Sequence, residues 1–378
     1  MKVTHVITGL NDGGAEGVLF RLCNYDKENI HNVICLTALG RYGPLLRAKG
    51  VDVLALNMKR SFPSPLAFLR LVLYLRAYKP EIVQTWMYHA DFFGGCAARI
   101  AGIKSVVWGI RSSILVSQHS KQATIIVSRL LSLLSYWIPC RIVVCAQKAM
   151  DVHVTIGYDR KKMRVIFNGY EIVNSNFQED SRQNLRKSLG IKFSTKLIGM
   201  VARFDPYKDH SNLLHAVSIL CKKGINLKCV LVGAGIETKN ECLRNLIAKL
   251  SLNDVVFLLG QRDDIPTIMG SIDLHILSSF AEGFPNVVAE AMACGTPAVV
   301  TDVGDAALIV GDTGWVVPPR NSLALATAIE IALHETSDPA WRTRCNAVRS
   351  RIRYNFGIDQ MIENYQRIWN EAKSVCVE

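Results

Sequence analysis

The 378-residue sequence predicts an α/β protein of two domains, each built on a doubly wound parallel sheet. Two observations carry that prediction. Short strand-like runs alternate with helical patterns in both halves, and the alternation restarts after a polar stretch near residue 174. In each half the first strand opens into a loop suited to a ligand, Gly9 to Gly17 in one and Ala202 to His210 in the other.

Residues 3–8 read as a buried first strand. The run Gly9-Leu10-Asn11-Asp12-Gly13-Gly14-Ala15-Glu16-Gly17 follows, then a helix from about residue 18 to 25. The loop lacks Gly-x-Gly-x-x-Gly and Gly-Lys-Ser/Thr, so it is neither a dinucleotide fingerprint nor a P-loop. Its glycines let a ligand approach the backbone; an ordinary tight turn is the alternative. Strands at 32–37, 52–56, 82–85 and 105–108 then alternate with helices at 43–49, 65–78 and 90–101. Ligands of such sheets bind beyond the strand C-termini. Trp86-Met87-Tyr88-His89 follows one such end and Gly109-Ile110-Arg111-Ser112-Ser113 another. A lone histidine is more often structural, but this position favours a functional His89. A strand at 142–145, a helix at 146–156 and a short strand at 165–167 complete the half, and the polar stretch 174–184 places the interdomain linker around 167–185.

The second half reads as strands at 197–201, 227–232, 255–258, 274–277, 298–301 and 314–317. Helices fall at 212–222, 240–250, 265–269 and from about 322. Gly233-Ala234-Gly235 and Gly260-Gln261-Arg262-Asp263-Asp264 are loops after strands. A last helix, 359–373, carries Met361, Tyr365, Ile368 and Trp369 near helical spacing. It can pack anywhere, including back on the first domain.

The stretch from Ser278 to Pro297 carries the chemistry. Gly283-Phe284-Pro285 is unsuited to a helix interior. Residues 286–294 read as a helix with Pro285 near its first position, stopped by Gly295 and Pro297. That places Glu282 on a loop and Glu290 about two turns into the helix. A helix N-terminus between two carboxylates suits a ligand that is anionic in the middle and rich in hydroxyls at both ends. A nucleotide-sugar is such a ligand. Arg203 and Lys208, after the first strand of this half, are cations fit to neutralise a pyrophosphate. Glu290 offers a two-acceptor fork for ribose hydroxyls, and Glu282 suits sugar hydroxyls.

Hydrophobic content of 49% and charged content of 20% are those of a globular chain. Charge is uneven. Residues 1–168 hold 22 Lys+Arg against 9 Asp+Glu, and residues 169–378 hold 22 against 23. The basic half therefore suits an anionic partner or is merely a soluble basic face. Two apolar stretches of that half carry cations: 62–79 (Arg70, Arg76, Lys79) and 114–141 (Lys121, Arg129, Arg141). They read as helices fit for a membrane interface or, equally, as core helices; the charge excess favours the interface. The eleven cysteines show no Cys-x-x-Cys pair or zinc spacing and read as reduced residues of a cytosolic protein. The N-terminus reads as a strand rather than a signal peptide, and no apolar run is long enough to span a bilayer.

On Gly13-Gly14-Ala15-Glu16, His89, Arg203-x4-Lys208, Gly233-x-Gly235 and Glu282-Gly283-Phe284-Pro285-x4-Glu290-Ala291-Met292-Ala293-x-Gly295-Thr296-Pro297, the sequence resembles retaining glycosyltransferases of family four. The likeness covers essentially the whole chain and is nearest to N-acetylgalactosaminyl α-1,3-transferases of O-antigen or capsule assembly. It implies the GT-B fold, two Rossmann-like domains facing across a cleft: an N-terminal acceptor domain at 1–167, to which helix 358–378 returns, and a donor domain at 168–357. Arg203 and Lys208 would bind the diphosphate of a UDP-sugar. Glu290 would bind the ribose, and Gln261 and Arg262 would meet the base. Glu282, with the backbone of Gly283, Phe284 and Pro285, would hold the donor sugar, and Asn286 and Val287 would also bind the donor. Gly13 and Gly14 would lie close to the diphosphate and the acceptor, and Gly233 would bind the donor. His89 would contact the sugar at the reaction centre, although some relatives carry a second histidine nearby. Glu16 and Arg111 would serve a polyprenyl-pyrophosphate saccharide at the inner face of the cell membrane.

The implied catalysis involves His89, Arg203, Lys208 and Glu282, with no metal, no cofactor and no protein nucleophile. No Asp-x-Asp motif occurs, and nothing points to nucleic acid. Rival readings are a UDP-sugar 2-epimerase of similar shape and a non-enzymatic membrane or nucleic-acid adaptor.

Overall fold

The structure is a computed structural model and describes residues 1–58, 64–111, 122–173 and 175–375. Ser112, Ser113 and Lys121 lie outside the described residues. The chain divides into two compact units, Met1–Gly169 with Ile358–Glu378, and Tyr170–Gly357.

The first unit alternates β1 (Lys2–Ile7), α1 (Gly14–Tyr25), β2 (Ile30–Cys35), α2 (Tyr42–Ala48), β3 (Asp52–Ala55), α3 (Pro65–Tyr78), β4 (Ile82–Trp86), α4 (Tyr88–Ile100), β5 (Val106–Ile110), α5 (Gln122–Leu134), β6 (Arg141–Val144), α6 (Gln147–Thr155) and β7 (Met163–Val165). The strands form one parallel sheet in the order β3-β2-β1-β4-β5-β6-β7. β1 is an interior strand, with Val3 registered against His31 on one side and Ile82 on the other. Each parallel neighbour needs a crossover, and helices cover both faces, so the strands are buried runs of Val, Ile and Leu. Val3 and Ile7 enter one apolar layer and Val6 the other.

The second unit runs α7 (Ser175–Ser188), β8 (Lys196–Val201), α8 (His210–Lys222), β9 (Leu227–Val232), α9 (Glu241–Lys249), β10 (Val256–Leu258), α10 (Ile265–Ser271), β11 (Leu274–Leu277), α11 (Asn286–Ala293), β12 (Ala298–Thr301), α12 (Ala306–Val310), β13 (Trp315–Val317), α13 (Ser322–Glu335) and α14 (Trp341–Asn355). Its parallel sheet is ordered β10-β9-β8-β11-β12-β13. Both units are thus Rossmann-like parallel α/β domains.

Helix α15 (Ile358–Val375) belongs to the first unit. Met361, Tyr365, Ile368 and Trp369 are buried in the layer that holds Val3, Ile7 and Trp86. A buried polar chain runs beneath it. Trp86 Nε1 donates to His5 Nδ1 (3.2 Å), which leaves His5 Nε2 to donate to His31 Nδ1 (3.0 Å). His31 Nε2 then faces Asp26 Oδ2 at 3.2 Å. Burial opposes ionisation of Asp26, yet hydrogen bonds from His31 and Asn29 hold its carboxyl down to about 2. Gln366 of α15 donates to the same carboxylate. His5, His31 and Cys23 cluster as metal ligands can, but hydrogen bonds already engage both nitrogens of His5 and Nδ1 of His31, and His31 Nε2 faces Asp26.

Several expectations are corrected. The stretch assigned to a linker, 167–185, contains most of α7, and the units change between Gly169 and Tyr170. A polar sequence is ordered here because Asp273 holds it. Its carboxylate accepts from Arg186 Nη2 (2.9 Å) and Arg182 Nη2 (2.5 Å), and from the Leu197 amide at 2.7 Å. Helix α1 starts at Gly14 rather than near 18, and β5 extends to Ile110 rather than 108. Helix α14 had no counterpart in the sequence reading.

Candidate active site

In the second unit, two short caps reverse the chain after β8. Asp205 accepts from the Tyr207 amide (3.0 Å) and starts a single 3-10 turn, Pro206–Lys208. Asp209 takes a left-handed conformation (φ 48°) and caps α8 by accepting from the Asn212 amide (3.1 Å). The turn is stitched to the loop after β11. Ser278 Oγ lies 3.0 Å from the carbonyl oxygens of both Lys208 and Asp209, and the Phe280 amide donates to the Tyr207 carbonyl at 2.9 Å. The result sets Lys208 Nζ 2.5 Å from Glu282 Oε1, and Ser279 Oγ donates to that same oxygen at 2.7 Å. The cation and carboxylate are 19% and 11% exposed, so each depends on the other more than a surface pair does.

The Glu282 loop is wedged from behind. Thr301 Oγ1 donates to the Ser279 carbonyl (2.6 Å), and the Asp305 amide to the Gly283 carbonyl (2.9 Å). Gly304, at φ +55°, admits this approach, since a Cβ there would lie 2.2 Å from the Gly283 oxygen. Phe284 is buried in a stack with Tyr170 and beside Phe356, and Tyr170 donates its hydroxyl proton to Asn286. Pro285 stands at the N-cap, and α11 starts at Asn286, so this end of the helix carries the positive pole of its dipole. Glu290 is the fifth residue of α11. It lies about one turn from the helix start, nearer than the expected two.

Arg203 is placed differently from Lys208. Its guanidinium pairs with Asp205 at 3.0 Å and is 66% exposed. Gly233 sits against β8, where a Cβ would lie 2.2 Å from the Ala202 oxygen. Its amide donates to the Gly260 carbonyl (2.8 Å), which orders the loop that carries Gln261. Arg262 makes a two-point contact with Asp264 at 2.8 and 2.7 Å. Four contributors have no role assigned from sequence: Ser278 and Ser279, at the start of the stretch that carries the chemistry, and Gly304 and Tyr170 outside it. Arg320 is a fifth, its guanidinium 4.0 Å over the Phe280 ring. Serine and glycine carry no signal of their own in such positions.

In the first unit, Gly13 is the N-cap of α1, and Gly14 and Glu16 lie in its first turn. Burial raises the Glu16 pKa, against a hydrogen bond from its own amide. The carboxylate covers Gly13, where an added Cβ would meet Oε2 at 2.4 Å. His89 is not on a loop. It is the second residue of α4, exposed, with its imidazole held below the usual value by partial burial. The residue before this helix is unusual. Met87 adopts φ 73° and ψ 155°, a region otherwise reserved for glycine, while its amide donates to the Gly109 carbonyl at 2.9 Å. Asp91, buried one turn on, accepts from Thr85 Oγ1 (2.5 Å) and the Gly109 amide (3.2 Å), locking the strained corner that presents His89. Arg111 packs 4.4 Å over the Trp86 ring and donates to Asn168 (2.7 Å) and the Tyr365 hydroxyl. These contacts tie the end of β5 to α15.

The structure thus unites Lys208, Glu282, Gly283, Phe284, Pro285 and Asn286 at one end of the second sheet, while Gly13, Gly14, Glu16, His89 and Arg111 belong to the first unit.

Residues 181–349 match the family model "Glycosyl transferases group 1", and residues 12–173 match "Glycosyltransferase Family 4". An Escherichia coli relative, "UDP-Gal:alpha-D-GlcNAc-diphosphoundecaprenol alpha-1,3-galactosyltransferase", is 24% identical over 299 residues, 78% of this chain and 76% of its own. The fold is shared with Anabaena HepE, whose crystal structure holds UDP. That likeness has a TM-score of 0.84 at 23% identity and covers 98% of this chain and 100% of that one. WaaG, a glycosyltransferase involved in lipopolysaccharide biosynthesis, matches with a TM-score of 0.71 at 15% identity, over 97% of this chain and 99% of that one. With a glycosyltransferase family model on each half and relatives of that activity, the chain is supported as a glycosyltransferase of GT-B architecture.

Proposed function

We propose that the protein is a retaining, metal-independent glycosyltransferase that moves an α-linked N-acetylhexosamine, N-acetylgalactosamine as first choice, from a UDP-sugar to a polyprenyl-pyrophosphate saccharide in O-antigen or capsule assembly. The Lys208–Glu282 pair beside the start of α11 carries the reading. In this reading the first-turn amides of α11 and Lys208 receive the diphosphate, Glu290 holds the ribose and Glu282 the sugar hydroxyls. The leaving diphosphate takes the acceptor proton on the face it departs from. Lys208, and Arg203 once released from Asp205, stabilise the charge that builds there. His89 steadies the sugar.

The names of the E. coli relative and of the UDP complex of HepE support the donor class and the lipid-pyrophosphate acceptor. The acceptor lipid calls for a membrane surface, and the basic first unit with exposed Leu66, Leu69 and Leu73 on α3 suits one. The protein then works at the inner face of the cell membrane.

The test is calorimetric binding across UDP-, GDP- and ADP-sugars with UDP-galactose included, followed by turnover on lipid-pyrophosphate acceptors. Binding of UDP-sugars alone, and sugar transfer with retained configuration, are expected. Absence of any nucleotide-sugar binding would end this reading.

A further inference from the structure

Helix α5 is built partly inside out. Ser128, Ser132 and the following Ser135 are buried, and their hydroxyls donate back to carbonyls three residues earlier at 2.9, 2.7 and 2.6 Å. Ile126 (67% exposed), Leu130 and Leu133 (63%) point outward at helical spacing, and Trp137 (70%) continues the stripe past the helix end. A water-facing helix places its hydroxyls and aliphatics the other way round.

The stripe ends on a recess of about 310 Å³ at the N-terminal edge of the first sheet, opposite the strand ends that carry His89 and Arg111. Four cations from separate segments line it: Arg99 at the end of α4, Lys104 before β5, Arg141 at the start of β6 and Lys162 before β7, with Trp137 at the rim. Three are fixed by carbonyl oxygens. Arg99 donates to Ile138 (2.8 Å) and Trp137 (3.0 Å), Lys162 to Ser135 (3.0 Å) and Tyr136 (2.6 Å), and Arg141 to Cys140 (3.0 Å). Among the described residues two acids stand against the four, Glu371 at 2.9 Å from Arg141 and Asp159 at 4.0 Å from Lys162. Lys104 makes no ion pair among the described residues. Burial lowers the Lys162 pKa against the pull of Asp159 and Cys140, and the charges of Arg99 and Arg141 add a smaller push in the same direction as burial.

We propose that this recess binds the phosphate of an anionic phospholipid headgroup, while Trp137, Leu133, Leu130 and Ile126 enter the membrane interface beside it. The inference rests on the membrane-surface reading above. An aromatic ring at headgroup depth, aliphatics on one side and preorganised phosphate donors on the other are what such a surface requires. The volume lies at the small end of ligand sites, suiting a phosphodiester rather than a nucleotide-sugar.

The test is flotation of the full-length protein with vesicles of phosphatidylcholine, alone or doped with phosphatidylglycerol. Wild type, Lys104→Glu, Lys104→Arg and Leu133→Ser are compared, with thermal melting as the check of folding. Lys104→Glu should bind the anionic vesicles roughly tenfold more weakly and neutral vesicles as before, and Lys104→Arg should restore binding. Leu133→Ser should weaken both. If wild type floats with no vesicle, the membrane reading itself fails. If it floats on anionic vesicles and Lys104→Glu does so equally, the headgroup site alone is overturned. If millimolar glycerol phosphate raises the melting temperature of wild type but not of Lys104→Glu, while flotation is unchanged, the recess serves a soluble phosphate ester and the lipid assignment is wrong. A dimer that Leu133→Ser dissociates, without vesicle binding, would assign the stripe to a second copy and also overturn it.

Discussion

Lys208 and Glu282, 74 residues apart in sequence, meet at 2.5 Å where the turn after β8 is stitched to the loop after β11. Both side chains are mostly withdrawn from water, and Ser279 completes the contact. Each single neutralisation leaves a charged partner without its counter-charge, whereas the double change leaves none. Lys208→Met and Glu282→Gln should therefore be markedly non-additive in urea unfolding, with a coupling of about 1–3 kcal/mol. Additivity within error would show that the pair contributes nothing to the fold.

Turnover should separate the two carboxylates. Glu290→Ala should raise the Kd of both UDP and the UDP-sugar by about tenfold or more, since a hydrogen-bonded carboxylate contributes about 1.5–3 kcal/mol. Glu282→Ala should spare UDP affinity and lower kcat by roughly 10²-fold. Equal loss of UDP binding in both variants would contradict the assignment of ribose to one and sugar to the other.

Gly304 tests the wedge behind Glu282. An alanine there meets the Gly283 carbonyl from a left-handed backbone, and backbone must move. Gly304→Ala should destabilise the protein by more than about 1 kcal/mol and weaken donor binding along with it. A variant as stable and as tight as wild type would mean the loop has room the geometry denies.

The corner beneath His89 should respond to pH. Burial pushes the Asp91 carboxyl from 3.8 to about 7, against the hydrogen bonds from Thr85 and Gly109. The folded protein therefore favours the neutral acid, and the unfolded chain loses this proton first. Its contribution is full below about pH 4 and is lost as pH rises through about 7. Asp91→Asn keeps the accepting oxygen and cannot ionise. It should melt at least about 3 °C above wild type at pH 8, the two converging near pH 4. Parallel melting curves across that range would remove Asp91 from the account.

Much of this was legible in the chain. The alternation of strand and helix announced both parallel sheets because buried parallel strands need continuous apolar runs, and these are visible one residue at a time. Glu282-Gly283-Phe284-Pro285 announced a loop before a helix because proline and glycine restrict the backbone wherever they stand. Helix α7 was read as a linker because its order comes from Asp273, a residue outside its own sequence. Position near a strand end suggested function for Arg111, but position does not show that Asn168 and Tyr365 already accept its protons.

The sequence by itself determined the two domains, the order of their elements and the identity of the acid and basic groups at the second sheet, all consequences of local pattern. Only the tertiary structure decided the pairing. Lys208 goes to Glu282, Met87 is strained where it leads into the helix that carries His89, and α5 turns its serines inward beside four cations. Those outcomes depend on contacts between residues tens to hundreds of positions apart. Such contacts are fixed by packing and hydrogen-bond closure, which no window of sequence contains.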